Sequence, residues 1–315
     1  MVGYVACYPG QGAQKEQMAL DLYARHPRVR ELFTLASDIS GTDVLRLLTE
    51  ADGPTLQKTE VAQLAITVAN RSASMALAER SLPIACHAGF SLGELTAYAA
   101  AGALDDENLF RIVAKRASLM AQASKDALRI HGELGMSAVL GIGFDVVSRI
   151  LQDAGSTQVF CANDNGPKQV VIAGTLAHIE QLSERIKAAG ARKIVPLRVS
   201  GPFHTPFMIP AENEFGSFLQ DIPFSDPVAP LYVNVSGDRV MTAAAVKSSC
   251  ISQLSSPVRW TRIMQSIVDA HEVSGVLEVG PGTVLSGLWQ AGGYGLPCHK
   301  AGTCEDMDTL TEETT

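Results

Sequence analysis

Short apolar runs and helical periodicities alternate along the first third of the chain. Tyr4 to Tyr8 is a continuous apolar run that predicts a strand, and the glycine-rich loop Pro9-Gly10-Gln11-Gly12-Ala13-Gln14 follows it. Helical patterns come next around Met18–Tyr23 and Val29–Ala36, and a longer one spans about Glu60 to Arg80. Leu82 to Ala88 reads as a buried strand, and Glu94 to Ala101 and Glu107 to Lys125 read as helices. Strands without polar alternation, separated by helices, predict an α/β core.

The pattern tightens near Gly132. Met136 to Ile142 reads as a strand, and Val146, Val147, Ile150, Leu151 and Ala154 form one helical face. Gln158 to Ala162 and Gln169 to Ala173 read as strands, with the turn-rich Asn163-Asp164-Asn165-Gly166-Pro167 between them. Thr175 is placed to cap a helix carrying Leu176, Ile179, Leu182 and Ile186 on one side, and Lys193 to Val199 reads as a last strand. The order β-α-β-β-α-β is that of a ferredoxin-like unit. We therefore expect residues 132–199 to form a small ferredoxin-like subdomain, inserted into a discontinuous core of residues 1–131 and 200–315. Within that core, Pro230 to Val235 and Gly275 to Val279 read as further strands, and the tail from Glu305 to Thr315 is polar and acidic, with its end expected to fray.

Composition narrows the class. The 315 residues are 46% hydrophobic and only 18% charged, which fits a globular chain of one large domain or two. The formal net charge of −8 argues against a nonspecific nucleic-acid binder. No apolar stretch is long enough for a membrane span, and the first residues lack the basic and apolar regions of a signal peptide. Six cysteines at 7, 86, 161, 250, 298 and 304 show no CxxC pairing, so free thiols in a reducing cytoplasm are expected. The seven histidines do not cluster with them at ligand spacing, so no metal site is expected.

Gly89-Phe90-Ser91-Leu92-Gly93 carries the chemistry. A G-x-S-x-G sequence between a strand and a helix is a nucleophile elbow, with glycines where a side chain would block the tight turn. It presents the Ser91 hydroxyl at a helix N-terminus, where free N–H groups can stabilise an oxyanion. A serine nucleophile needs a base. His204 is the candidate, in the ordered loop Ser200-Gly201-Pro202-Phe203-His204-Thr205-Pro206-Phe207-Met208. His26, His87 and His178 sit in a proline turn, a buried strand and a helix, where a structural histidine is the simpler reading. An ordinary α/β-hydrolase has its histidine near the chain end, after an acid. Here a third of the chain follows His204 and no adjacent acid is evident, which argues against a lipase or esterase. The Pro9–Gln14 loop lacks the Lys-Ser/Thr of a P-loop and the spacing of a dinucleotide fingerprint, so a nucleotide site is rejected.

Four motifs, in order, resemble the malonyl-CoA:acyl carrier protein transacylase family: Pro9–Gln14, Gly89–Glu94, Gly201–His204 and Glu278-Val279-Gly280-Pro281-Gly282. Lys115-Arg116-Ala117-Ser118-Leu119-Met120, Asn163 to Gly174 and Gln253 to Trp260 also fit, so the resemblance covers the chain to about Leu310. It implies an α/β-hydrolase-like core with a mostly parallel sheet and a ferredoxin-like insertion. It implies an acyltransferase that moves a malonyl group from malonyl-CoA to the phosphopantetheine thiol of an acyl carrier protein for fatty-acid synthesis, without a cofactor. Ser91 resembles the nucleophile and His204 the base. Gln11 and Leu92 resemble the oxyanion hole through backbone N–H groups, Arg116 the carboxylate clamp, and Gln253 the residue whose main-chain carbonyl orients His204. Phe203 falls where the family selects its extender unit. Phe90 departs from the family, which commonly has histidine before the nucleophile.

The physical case for Arg116 stands separately. A malonyl carboxylate left unpaired in a partly dry pocket costs several kcal/mol. A guanidinium pairs it bidentately and disfavours acetyl groups, which leave the cation unmatched. Docking an acidic carrier protein on an acidic chain needs a local basic patch, and Arg185, Lys187, Arg192, Lys193 and Arg198 are expected to supply one, opposed mainly by Glu184. Competing readings are a transacylase of a polyketide pathway or of a malonate decarboxylase, a serine thioesterase, and a noncatalytic carrier-binding subunit.

Overall fold

The structure is a computed structural model that describes residues 2–80, 82–199 and 201–314, so Met1, Ser81, Ser200 and Thr315 lie outside the described residues. A six-stranded sheet forms the centre. Its strands are β1 (Gly3–Tyr8), β2 (Ile84–Gly89), β7 (Leu231–Tyr232), β8 (Arg239–Val240), β9 (Val273–Glu278) and β10 (Cys298–Lys300), ordered β10-β9-β1-β2-β7-β8. All neighbours run parallel except the short pair of β7 with β8.

The strand β1 shows why the middle of this sheet is apolar throughout. Alternate side chains point to opposite faces. Tyr4, Ala6 and Tyr8 enter one hydrophobic core and Val5 and Cys7 enter another, so every residue of β1 is buried. Helices cover both faces, as a parallel sheet requires. The first core is packed by Thr59–Ala78 and Asp106–His131, and the second by Trp260–Ala270 and Val284–Gly292.

A second sheet comes from β3 (Leu134–Leu140), β4 (Val159–Gly166), β5 (Gln169–Thr175) and β6 (Lys193–Pro196). It is antiparallel, in the order β4-β5-β3-β6, and carries the helices Phe144–Asp153 and Leu176–Ala188 over a core of its own. This is the ferredoxin-like arrangement that the element order predicts. The α/β class, with a mostly parallel main sheet and a separate antiparallel one, stands. The end of β4 reaches back to the main body: Asp164 N–H donates to Val258 O at 2.8 Å, and Val258 N–H to Ala162 O at 2.9 Å.

Several local expectations are corrected. Asn163 to Gly166 belongs to β4 and is not a turn. Two register shifts let the polar run stay paired, and the reversal falls on Pro167 and Lys168. The strand expected over Pro230–Val235 pairs only at Leu231–Tyr232, since Asn234 has turned to serve the site below. β6 stops at Pro196, four residues long. Val146 and Leu176 face solvent, because the helices lean on the sheet through Val147, Leu151, Ile179, Leu182 and Ile186 instead. Thr175 precedes its helix, yet its hydroxyl bonds the His178 ring at 2.7 Å and not a backbone N–H. The acidic tail forms a helix, Cys304–Thr314, that buries Met307 and Leu310, and Thr315 at its end lies outside the described residues. Asp308 on that helix pairs with Arg25 at 2.6 Å and Arg80 at 2.7 Å.

Candidate active site

The elbow forms because its glycines let two backbones touch. A Cβ on Gly89 would sit 2.1 Å from the carbonyl carbon of Gly93, and one on Gly93 would sit 2.0 Å from the Tyr8 carbonyl oxygen. Between them Ser91 adopts φ +50°, the left-handed region that ordinary residues avoid. Such strain costs roughly 1–3 kcal/mol and survives only where the surroundings enforce it. The helix Gly93–Ala100 starts directly behind the serine.

His204 is also held at positive φ, at +60°. Its N–H donates to Leu254 O at 3.1 Å, and the Thr205 hydroxyl donates to Pro202 O at 2.5 Å, so both sides of the loop are tied. Two main-chain carbonyls face Nδ1: Gln253 O at 2.8 Å and Ser256 O at 3.2 Å. A carbonyl can only accept, so Nδ1 carries the hydrogen and Nε2 is left with its lone pair. Nε2 stands 2.7 Å from Ser91 Oγ, within reach of the hydroxyl proton. Burial, helped by the positive charge of Arg116, lowers the His204 pKa to about 4, so the ring is neutral at ordinary pH.

Arg116 comes from the middle of the long helix Asp106–His131 and is buried. Its Nη1 donates to Gln63 Oε1 and its Nη2 to Gln253 Oε1, each at 2.8 Å, while Nη2 lies 3.4 Å from Ser91 Oγ. Nε, also buried, has no partner among the described residues. Burial brings the Arg116 pKa down to about 10, which still leaves it charged at neutral pH. Both oxygens that position the guanidinium are neutral amides, so its charge remains available to an anion in the cleft. The adjacent Lys115 is half-buried and does not line that cleft.

The cleft has a volume of about 460 Å³ and lies between the main sheet and the second one. It is lined by Gln11, Ser91, Leu92, Arg116 and His204, together with Phe90, Phe203 and Arg198. No protein acceptor takes the N–H of Gln11 or of Leu92 among the described residues, and both residues line the cleft with Ser91. Phe203 is buried in the cleft wall. Phe90 packs edge-on against Trp260, with ring centroids 5.5 Å apart. The basic residues Arg185, Lys187, Arg192, Lys193 and Arg198 are all exposed. Arg198 reaches the cleft, and Lys187 is paired with Glu184 at 2.8 Å.

Three residues that hold this geometry received no role from the sequence. Asn234 braces the elbow, Gln63 holds one arm of Arg116, and Glu94 holds the side chain of Gln253. Gln63 left one signal: it is a polar side chain inside an otherwise apolar helical stretch, Val61-Ala62-Gln63-Leu64-Ala65. The motif residue Glu278 has a structural task. Its carboxylate accepts from Leu285 N–H at 3.0 Å and Ser286 N–H at 2.8 Å, capping the helix Val284–Gly292. Among the described residues no cluster of His, Cys, Asp and Glu fit to hold a metal occurs, and no helix is long and apolar enough to cross a membrane.

A strained serine at a helix N-terminus, a neutral histidine at its hydroxyl and two open backbone donors define a serine-dependent acyl-transfer enzyme of α/β architecture. The acyl transferase domain model matches residues 5–300. The chain belongs to this family, and within it to the malonyl-CoA:acyl carrier protein transacylases. It is 36% identical over 283 residues to the malonyl CoA-acyl carrier protein transacylase of Staphylococcus aureus, covering 89% of each chain. It is 35% identical over 285 residues to that of Bacillus subtilis, covering 89% of this chain and 87% of the relative. Among solved structures it resembles an acyl carrier protein S-malonyltransferase from Vibrio cholerae, with a TM-score of 0.91, 31% identity and coverage of 98% and 99% of the two chains. It equally resembles a malonyl-transacylase in complex with its type II PKS acyl-carrier protein, with a TM-score of 0.91, 32% identity and 99% of each chain covered.

Proposed function

We propose that this enzyme transfers a malonyl group from malonyl-CoA to the phosphopantetheine thiol of an acyl carrier protein through an acyl-Ser91 intermediate. The observation that carries the reading is the buried Arg116 guanidinium, 3.4 Å from Ser91 Oγ and otherwise bonded to two neutral amide oxygens. A cation in that position fits an acyl group that ends in a carboxylate. The relatives' names support the same substrate and acceptor.

The residues divide the work as follows. His204 Nε2 takes the Ser91 proton as Oγ attacks the thioester carbon, and the backbone N–H groups of Gln11 and Leu92 hold the resulting oxyanion. The C–S bond breaks and CoA leaves with the proton from His204. The carrier's thiol then gives its proton to His204 and attacks the acyl-serine, and Ser91 recovers the proton as its ester bond breaks. The Gln253 main-chain carbonyl keeps the ring in the required tautomer. Arg116 holds the malonyl carboxylate in both half-reactions, and Phe203 restricts branching at the acyl chain. None of these steps calls for a cofactor. Arg198 at the cleft, with Arg185, Lys187, Arg192 and Lys193, forms the docking face for the acidic carrier, and the enzyme acts in the cytoplasm.

Intact mass after brief mixing with malonyl-CoA tests the proposal. The wild type gains one malonyl group, and Ser91→Ala gains none. His204→Ala acylates about 10²- to 10⁴-fold more slowly, the usual worth of a general base. Release of free CoA with no adduct at any time, and no transfer to a carrier thiol, would falsify the transferase reading in favour of a hydrolase.

A further inference from the structure

Glu94 is fully buried on the helix behind Ser91 and does not line the cleft. Its two oxygens serve different partners. Oε2 accepts from Gln253 Nε2 at 2.6 Å, and Oε1 accepts from the Tyr98 hydroxyl at 2.5 Å and the Ser249 hydroxyl at 3.2 Å. No ion pair to Glu94 occurs among the described residues. It meets a cation only through one intervening amide, because Gln253 Oε1 is the acceptor for Arg116 Nη2.

An amide has one donating end and one accepting end. If the Gln253 amide were flipped, its NH₂ would face the guanidinium, donor against donor, and its oxygen would face the ionised Glu94 carboxylate, acceptor against acceptor. Glu94 makes the flipped state doubly unfavourable. The arrangement also differs from a direct carboxylate–arginine pair. A direct pair would occupy the fork and compete with an incoming anion, whereas the amide fixes the fork and leaves its charge unneutralised at close range.

We propose that Glu94 is a positioning residue for acyl-group selection: through the side-chain amide of Gln253 it sets Arg116 to receive a carboxylate. This inference rests on the malonyl-transfer reading above. It separates the two duties of Gln253. The main-chain carbonyl that orients His204 does not depend on the amide, so losing Glu94 weakens recognition of a carboxylate more than it weakens the base.

The test compares acyl-enzyme formation from malonyl-CoA and from acetyl-CoA in the wild type, Glu94→Met and Glu94→Gln. Glu94→Met fills the space without an acceptor. It is expected to lower the malonyl rate at least ~10-fold while the acetyl rate changes less than ~3-fold, because an unset clamp matters only to a substrate with a carboxylate. Glu94→Gln keeps an oxygen for Gln253, and its NH₂ meets two hydroxyls able to accept, so it is expected to retain the malonyl preference within about 3-fold. If Glu94→Met does not fold, Glu94→Ala, whose vacated space admits water, serves the same comparison. Ser249→Ala removes a different partner of Glu94 and controls for simple destabilisation, since its preference should be unchanged. An unchanged preference in a folded acceptor-free variant overturns the inference, as does an equal fall for both substrates in step with lost thermal stability. A wild type that forms no malonyl adduct fails earlier, and marks failure of the malonyl reading itself.

Discussion

Asn234 grips the backbone on both sides of the residue before Ser91. Its Oδ1 accepts from the Ser91 N–H and its Nδ2 donates to the Gly89 carbonyl, both at 2.6 Å. The side chain is fully buried, so neither bond is shared with water. Together they hold the turn in which Ser91 keeps its positive φ.

Asn234→Ala is therefore expected to relax the elbow. It leaves a buried N–H and a buried carbonyl unpaired, at about 1–3 kcal/mol each before water compensates. We expect a lower melting temperature and a fall in acylation rate of roughly tenfold or more, since a small misplacement of the nucleophile is costly. Stopped-flow release of CoA, read beside a thermal melt, checks both. Unchanged acylation in a folded Asn234→Ala protein would show that the turn holds itself.

Arg116→Ala should remove two charge-assisted bonds to the substrate carboxylate, together about 2–4 kcal/mol, or roughly 30- to 1000-fold in kcat/KM for malonyl-CoA. Acetyl-CoA, which offers no carboxylate, should lose far less. Arg116→Lys keeps the charge without the fork and should fall between the two. Competition between the two thioesters for one enzyme sample measures the ratio directly.

The pH profile of the free enzyme should show its acid limb near pH 4 and not near 6.5, because burial and Arg116 hold His204 neutral. Activity needs the neutral ring, so it is lost as pH falls through that value. At the other end, Arg116 begins to lose its charge as pH rises toward about 10, which should weaken malonyl-CoA before it weakens acetyl-CoA. An acid limb at 6 to 7 in kcat/KM would contradict the environment seen around the histidine.

Stability should carry two opposing slopes. The folded pKa of His204 lies below its ordinary 6.5, so the unfolded chain binds that proton first and stability falls as pH drops from about 6.5 toward 4. Burial raises Glu94 from 4.5 to about 7, so its contribution is complete below 4.5 and is lost as pH rises toward 7. His87, also pushed down to about 4 by burial, adds a slope of the first kind, so the two histidines outweigh Glu94 between these limits. Glu94→Gln removes the second slope alone, so its melting temperature should rise relative to the wild type between pH 5 and 7. A parallel pair of melting curves would show that Glu94 does not change its protonation on unfolding.

Deleting residues 304–315 should destabilise the enzyme while leaving the active-site chemistry intact. Met307 and Leu310 are buried under the last helix, and each large apolar side chain contributes roughly 1.5–3 kcal/mol when fully buried. A lowered denaturant midpoint with unchanged acylation per folded molecule is the expected result.

How much of this was legible in the chain depended on range. The strand-turn-helix around Ser91 is local: Gly89 and Gly93 mark a close backbone approach, and an apolar run precedes them, so a short window carries the message. The second sheet was legible because its strands and helices follow one another in the order in which they pair. Other segments have the opposite character. Asn163 to Gly166 has the composition of a turn but pairs because β5 lies beside it. The acidic tail is polar in composition but is drawn in by Arg25 and Arg80, more than 220 residues earlier.

The sequence by itself singled out Ser91, His204 and Arg116 and the order of the elements, because each is written in residue types and spacings. Tertiary structure alone decided what those residues experience. Asn234 reaches Ser91 across 143 positions, Gln253 reaches Arg116 across 137, and Glu94 reaches Gln253 across 159. A glutamine, an asparagine or a glutamate is an ordinary surface residue until folding removes water from it. Once buried, each must find a partner, and the partners available fix the direction of every hydrogen bond around the serine. That directionality fixes the tautomer of one histidine and leaves one arginine with its charge unspent, and no local pattern in the chain encodes it.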